Sequence, residues 1–337
     1  MTNKFLALPQ STRVLAFTQV AEKRGITPFA VEKDWWVSQT LKAVFELDVA
    51  EHLVFKGGTS LSKAWNLIER FSEDIDLAIE REFLGFEGSL TKNKKTKLRK
   101  ASGQYISEVF YLELQEKFKE KGLENVTFSL AETQDSDQDP RIINIFYPNI
   151  IEVTEYLKPR VQIEVGCRSL IEPFTMKKIS AMVDDEYPEQ SFSEKSEEIP
   201  SVNPERTFLE KIFLLHEEFQ KTAEKIRVDR LSRHLYDLYA FSKTEYAESA
   251  LQNKELYETI VKHRMEFAKI SGIDYSLHRP ATINPIPPEN IIELWEKDYA
   301  KMREEMVYGE NRPTFSEIIE TLKRLKDKIN SLNWEMI

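Results

Sequence analysis

Apolar residues return at three- and four-residue spacing over residues 12–50, the signature of helices with one face turned inward. The pattern then changes. Val54-Phe55-Lys56 is a short extended run that stops at Gly57-Gly58, and a helix is expected from 60 to about 69. Residues 74–80 alternate: Ile75, Leu77 and Ile79 point one way, Asp74, Asp76 and Ala78 the other, which is the two-residue period of a strand. One long helix is expected over 91–121, followed by strands at 126–130, 142–146 and 160–165.

From 184 the chain turns rich in Glu, Ser and Pro up to Pro204, as a linker or extended crossover would be. Beyond it the periodicity is helical at 204–219, 223–243, 249–270, 288–306 and 314–332, with Asn203 placed to cap a helix that starts on Pro204. The proline-rich stretch 275–288 reads as a long loop. The expected class is α+β: a mixed sheet with flanking helices over 1–183, a linker at 184–203 and a mainly helical half over 204–337.

A length of 337 residues agrees with about two structural units. With 41% hydrophobic and 31% charged residues, the chain can bury a core and keep a solvated exterior. Its apolar runs are too short to span a bilayer. The segment Met1-Thr2-Asn3-Lys4-Phe5 lacks the apolar core of a secretory signal, and the single cysteine, Cys167, rules out internal disulfides and cysteine-based zinc sites. A reduced, cytoplasmic protein is expected. The net charge of −10 argues against indiscriminate coating of nucleic acid, yet leaves room for a local basic patch. One such segment stands out: Lys92, Lys94, Lys95, Lys97, Arg99 and Lys100, with no acidic residue before Glu108.

The candidate chemistry lies where the first strand meets the Gly57-Gly58 pair. Lys56-Gly57-Gly58-Thr59 at a strand-to-helix turn offers side-chain-free backbone N–H groups to phosphate oxygens, with the Thr59 hydroxyl as a further donor. Asp74 and Asp76, two apart on a strand, present both carboxylates to one face, where hard cations such as Mg²⁺ would sit. Glu164, inside the apolar run Val161-Gln162-Ile163-Glu164-Val165, is the best third carboxylate, either as a metal ligand or as the acceptor of the attacking hydroxyl's proton. Ser72 shares the Asp74 face as a strand-edge hydroxyl, a phosphate donor or a point of control. Phosphate loop plus paired carboxylates predict a two-metal, Mg²⁺-dependent nucleotidyl transfer from a nucleoside triphosphate.

These residues resemble the nucleotidyltransferase superfamily. In more detail, the run from Phe55 to Lys63 followed by Arg70-Phe71-Ser72-Glu73-Asp74-Ile75-Asp76-Leu77 resembles the AbiEii/AbiGii toxin family of abortive-infection and toxin–antitoxin systems. Glu32-Lys33-Asp34-Trp35-Trp36-Val37, the Glu205–Lys211 run and the Arg233–Leu238 run are similar to further motifs of that family. The resemblance implies Asp74 and Asp76 as metal ligands, Lys211 as a triphosphate contact and Asp237 as a second polar group of the site. It further implies an RNA or protein acceptor, tRNA ends being favoured, and a cognate antitoxin. A glutamate at 164 departs from the commoner aspartate.

Read without the resemblance, Lys211 is a lysine extended along a helix edge and Asp237 an ion-pair partner of Arg233 one turn away. His216 and His234 are polar packing residues, at least one of Trp35 and Trp36 belongs in the core, and Cys167 is a buried, inert thiol. Two other functions use the same parts. An antibiotic nucleotidyltransferase would modify a small molecule such as an aminoglycoside, and a non-catalytic module would only bind nucleotide.

Overall fold

The computed structural model describes residues 3–153, 158–268, 270–309 and 312–334. The chain divides into a first unit of Met1–Asn66 with Phe71–Val202, and a second of Leu67–Arg70 with Asn203–Ile337.

Helices α1 (Gln10–Arg24) and α2 (Pro28–Val44) open the first unit. Proline at the first position of α2 has its φ preset for a helix, and the Thr27 hydroxyl accepts from the Ala30 N–H at 3.2 Å. Nearly every residue of α2 is buried, charged ones included. A charge so placed must be paired or solvated by the backbone, and each is. The Glu32 carboxylate accepts from the N–H groups of Ile150 and Ile151 at 2.8 and 3.2 Å. Lys33 pairs with Glu73 and donates to the Lys158 carbonyl at 2.8 Å. Asp34 pairs with Lys63 and accepts from Met182 N–H at 2.8 Å. Residues 32–34 thus pin several distant connections to one helix. Trp35 and Trp36 are both buried, Trp36 stacked on Tyr147 at 5.1 Å between centroids, so packing is the work of both.

The rest of the unit runs β1 (Leu53–Lys56), α3 (Gly57–Lys63), β2 (Asp74–Ile79), α4 (Lys92–Tyr105), α5 (Tyr111–Glu120), β3 (Thr127–Leu130), β4 (Arg141–Phe146), β5 (Arg160–Gly166), β6 (Phe174–Ile179), α6 (Met182–Glu186) and β7 (Glu197–Val202). Between α4 and α5 the helix continues as π-type turns over Ile106–Phe110. The strands form one mixed sheet, in the order β3-β4-β5-β2-β1-β7-β6. The pair β2–β5 is parallel and β1–β2 antiparallel.

Alternation gives the sheet two unlike faces. Ile75, Leu77, Ile143, Ile145, Val161, Ile163 and Val165 are fully buried. Asp74, Asp76, Gln162 and Glu164 point the other way and are half-buried. Helix α4 packs on the apolar face. A Cβ on Gly103 would stand 2.6 Å from Arg141 Nε, and Arg141 shares the parity of Ile143.

Two expectations need correction here. The helix read at 60–69 is shorter and earlier, Gly57–Lys63, so the glycines form its first turn. The stretch 184–203, read as a linker, carries part of α6 and then β7, which sits inside the sheet between β1 and β6. Its Glu197, Glu198 and Pro200 disguise a strand in which Ile199, Ser201 and Val202 are buried. Strand β6 was also missed, because an edge strand with one wet side shows weak alternation. Phe174 and Met176 are exposed beside Lys177 and Lys178.

The second unit is helical: α7 (Pro204–Glu218), α8 (Ser232–Phe241), α9 (Glu245–Gln252), α10 (Lys254–Phe267), α11 (Ile292–Glu305) and α12 (Phe315–Asn330). Two runs read as single helices are broken. Within 223–243, Asp298 accepts from the N–H groups of Arg230 and Ser232 at 2.8 and 3.1 Å, holding an irregular approach to α8. Within 249–270, Asn253 ends α9 and caps α10 through the Leu256 N–H at 2.9 Å. Lys269, at the end of that run, lies outside the described residues. Asn203 precedes Pro204 at the start of α7, as expected. Among the described residues no helix is long and apolar enough to cross a membrane.

Candidate active site

The turn from β1 into α3 is shaped around one carboxylate. Gly57 has φ of +78°, a left-handed backbone that glycine adopts without strain. A Cβ added there would lie 1.9 Å from Asp76 Oδ2, so the aspartate occupies the space a side chain would fill. Lys56, just before the turn, is in register with Asp76 across the β1–β2 pair. Thr59 is fully buried, and its hydroxyl donates to the Asp74 carbonyl at 2.5 Å and lies 3.0 Å from Ser72 Oγ. A hydroxyl carries one proton, so Ser72 is the donor in that second contact. Thr59 therefore ties the start of β2 to α3, and its donor is already spent within the fold, contrary to the expected role on phosphate.

Across the parallel β2–β5 pair, Asp74 stands in register with Gln162 and Asp76 with Glu164. Burial first, then the charges of Asp76 and Asp74, push the Glu164 carboxyl up to about 7. The donors are all hard oxygens carrying an excess of negative charge, and the missing side chain of Gly57 lets Asp76 lie against the turn. That chemistry fits Mg²⁺. Among the described residues no three His, Cys, Asp or Glu side chains form a ready-made cage. Mg²⁺ is ordinarily held by one or two carboxylates together with substrate phosphates, so an incomplete protein shell is the expected arrangement.

Sequence reasoning missed the residues that steady Glu164. Gln162 Nε2 donates to Glu164 Oε1 at 2.8 Å, and Arg160 Nη2 donates to Gln162 Oε1 at 2.8 Å. The signal was present in the polar positions 160, 162 and 164 alternating with valine and isoleucine.

In the second unit, Lys211 and Asp237 come together, with an unforeseen third member. Asp237, fully buried, takes a bidentate pair from Arg70, Nε to Oδ1 at 2.6 Å and Nη2 to Oδ2 at 2.8 Å. Lys211 Nζ is 2.8 Å from Asp237 Oδ2 and 3.2 Å from His234 Nδ1. Burial alone would raise the Asp237 carboxyl, but Arg70 and Lys211 hold it well below its ordinary range. Burial pushes the Lys211 ammonium down against the pull of Asp237, and it pushes His234 far down as well, with Lys211 adding to the effect. A neutral His234 then accepts from the lysine. Asp237 is thus the anion of a buried cluster in which Arg70 and Lys211 are cations that the sequence did not point to as its partners.

The remaining candidates are structural. His216 Nδ1 accepts from the Asn284 N–H at 3.1 Å, and burial holds its pKa down at about 4. Burial and Asp139 push the Cys167 thiol up to about 12, which keeps it inert. The basic run lies at the start of α4, behind the Thr91 cap, with Lys92, Lys94, Lys97 and Lys100 exposed and Arg99 paired to Asp137.

Comparison with known proteins identifies the family of the chain. The family model described as nucleotidyl transferase AbiEii toxin, type IV toxin–antitoxin system, matches residues 39–321. Among solved structures, MenT4, a nucleotidyltransferase toxin from Mycobacterium tuberculosis, is similar in fold, with a TM-score of 0.50 at 14% identity over 97% of this chain and 91% of that one. JHP933 from Helicobacter pylori aligns over 90% of this chain and 94% of its own, at 14% identity and a TM-score of 0.40. No curated protein matches the sequence.

Proposed function

Since the chain belongs to the AbiEii nucleotidyltransferase toxin family, we propose that it transfers a nucleotide from a nucleoside triphosphate to RNA, tRNA ends being the favoured acceptor. The observation that carries this reading is the Gly57–Asp76–Glu164 arrangement, a glycine turn lying against one of two carboxylates set in register on adjacent strands. Asp74 and Asp76, with Glu164 beside them, would hold Mg²⁺, which when bound neutralises charge on the triphosphate and lowers the barrier to displacement. The backbone of Gly57 and Gly58 receives the phosphates, and Lys56 adds a positive charge on the same side. The acceptor hydroxyl oxygen forms a bond to the α-phosphorus while the bond from that phosphorus to the α,β-bridging oxygen breaks and pyrophosphate leaves. The hydroxyl proton passes to Glu164, the carboxylate beside Asp76 across the β2–β5 pair. Membership of a toxin–antitoxin family brings with it an antitoxin partner.

The test is to incubate the purified protein with each α-³²P-labelled nucleoside triphosphate, Mg²⁺ and either unfractionated tRNA or an aminoglycoside. Label should enter RNA and should not when EDTA is present. Label on the aminoglycoside instead would move the protein to the small-molecule class. Nucleotide binding without any transfer would leave a binding module.

The exposed lysines of the basic run at the start of α4 can draw in an RNA through their electrostatic field. Replacing Lys94, Lys95 and Lys97 with glutamate should lower RNA affinity and flatten its dependence on salt, with nucleotide affinity unchanged. Equal salt slopes for variant and wild type would remove the run from RNA recruitment.

A further inference from the structure

Resting on the transfer reading above, we infer that Arg160, Gln162 and Asn144 form a subsite for the end of the acceptor RNA, holding its last ribose and the phosphodiester behind it. The argument begins with direction. In an in-line displacement the attacking oxygen and the leaving pyrophosphate lie on opposite sides of the α-phosphorus. The phosphate turn follows β1, on one side of β2, so the triphosphate tail lies toward β1. The acceptor must then arrive from the other side, over β5 and β4.

The strands on that side carry an unusual row. Asp74 on β2 pairs with Gln162 on β5, and Gln162 with Asn144 on β4, so the three side chains share one face. At about 4.8 Å between neighbouring strands, Asn144 stands roughly 10 Å from Asp74, about the reach of one nucleotide. Arg160 lies on the same face of β5, joined through Gln162 to Glu164.

Two members of the row keep hydrogen-bonding capacity beyond what the described residues use. Asn144 is 7% exposed, yet its Oδ1 has no hydrogen-bond partner among the described residues. Asparagine is also a poor strand former, and a threonine or valine would serve β4 better. Arg160, for its part, is held by Gln162 with its guanidinium oriented and further N–H groups to give. An amide with unmatched hydrogen-bonding capacity suits a ribose hydroxyl, which both donates and accepts. A fixed guanidinium suits a phosphodiester. Together they describe the end of an RNA strand, next to the carboxylate that takes its proton.

The experiment measures binding and turnover separately. A short 5′-fluorescein-labelled RNA and a non-hydrolysable nucleoside triphosphate analogue are titrated into wild type, Arg160→Ala, Arg160→Lys and Asn144→Thr, each checked for Tm. Transfer to unfractionated tRNA is followed in parallel. Arg160→Ala and Asn144→Thr should weaken RNA binding by about ten- to a hundredfold, as for loss of a charge-assisted or buried hydrogen bond, and raise KM for tRNA more than they lower kcat. Analogue affinity should stay within about twofold, because the triphosphate lies on the β1 side. Arg160→Lys should recover little, since an ammonium lacks the planar fork. Unchanged RNA affinity in both truncating variants would overturn the subsite, as would an equal loss of analogue affinity. If wild type bound the RNA through these residues but labelled none, the transfer reading would fail and the subsite would stand. If it labelled tRNA with KM unmoved in the variants, the reverse would hold.

Discussion

Asp76→Asn should lower nucleotidyl transfer by about 10²- to 10³-fold or more, with the melting temperature unchanged or raised. Loss of rate follows from the place of the carboxylate. Asp76 lies against the glycine turn that receives the phosphates and in register with both Lys56 and Glu164. An amide there keeps the shape and discards the charge that draws the cation. Retained stability follows from electrostatics. The Asp76 charge is one of those that push Glu164 upward, so the native fold contains a repulsion that the substitution relieves. Calorimetry without divalent cation, paired with the labelled-nucleotide assay, measures both halves. Near-wild-type turnover would sink the carboxylate mechanism, and a large fall in Tm would recast Asp76 as a structural residue.

How much of this could be read from the sequence depends on the range of the interactions involved. The alternation at 74–80 placed two aspartates on one face because strand parity is local, and Glu164 stood out as a charge in an apolar strand. What no local pattern could supply was which strand lies beside which. That β5 pairs with β2 in parallel, setting Glu164 opposite Asp76, is a fact of topology. The same limit hid Arg70. Beside Phe71 and Ser72 it reads as an ordinary exposed arginine, but Asp237, far along the chain, takes it into a buried pair. Strand β7 was lost for the opposite reason: its local composition, with Glu197, Glu198 and Pro200, argues for a linker, and burial between two other strands overrides it. Thr59 shows a third kind of failure. Its hydroxyl had the right chemistry for phosphate, but Asp74 and Ser72 lie within hydrogen-bond reach and claim it first.

Asp237→Asn should instead cost the second unit roughly 3–5 kcal/mol, the loss typical of removing one member of a buried ion pair. The carboxylate is fully buried and offsets two cations, Arg70 and Lys211, which are themselves 1% and 6% exposed. An amide cannot neutralise either, and both would be left charged in a poor solvent. The effect should depend on pH. A carboxyl held below its ordinary range contributes in full above the unfolded value near 4, and that contribution is lost as pH falls toward the depressed folded value. The gap between wild type and variant should therefore be constant at neutral pH and close in acid. Because the chain has two units, a midpoint for the whole chain shows that stability has fallen but not in which unit. Hydrogen exchange over α7 and α8 is the sharper one, and protection there should fall while β2 and β5 keep theirs. Replacing the whole cluster, Arg70→Met with Lys211→Met and Asp237→Leu, should recover much of the stability, since an apolar cluster owes nothing to solvent. Both aspartate variants can abolish turnover, and only the pattern of protection separates them. If Asp237→Asn lost transfer with α7 and α8 fully protected, Asp237 would belong to the chemistry, and its part in holding Arg70 and Lys211 would be secondary.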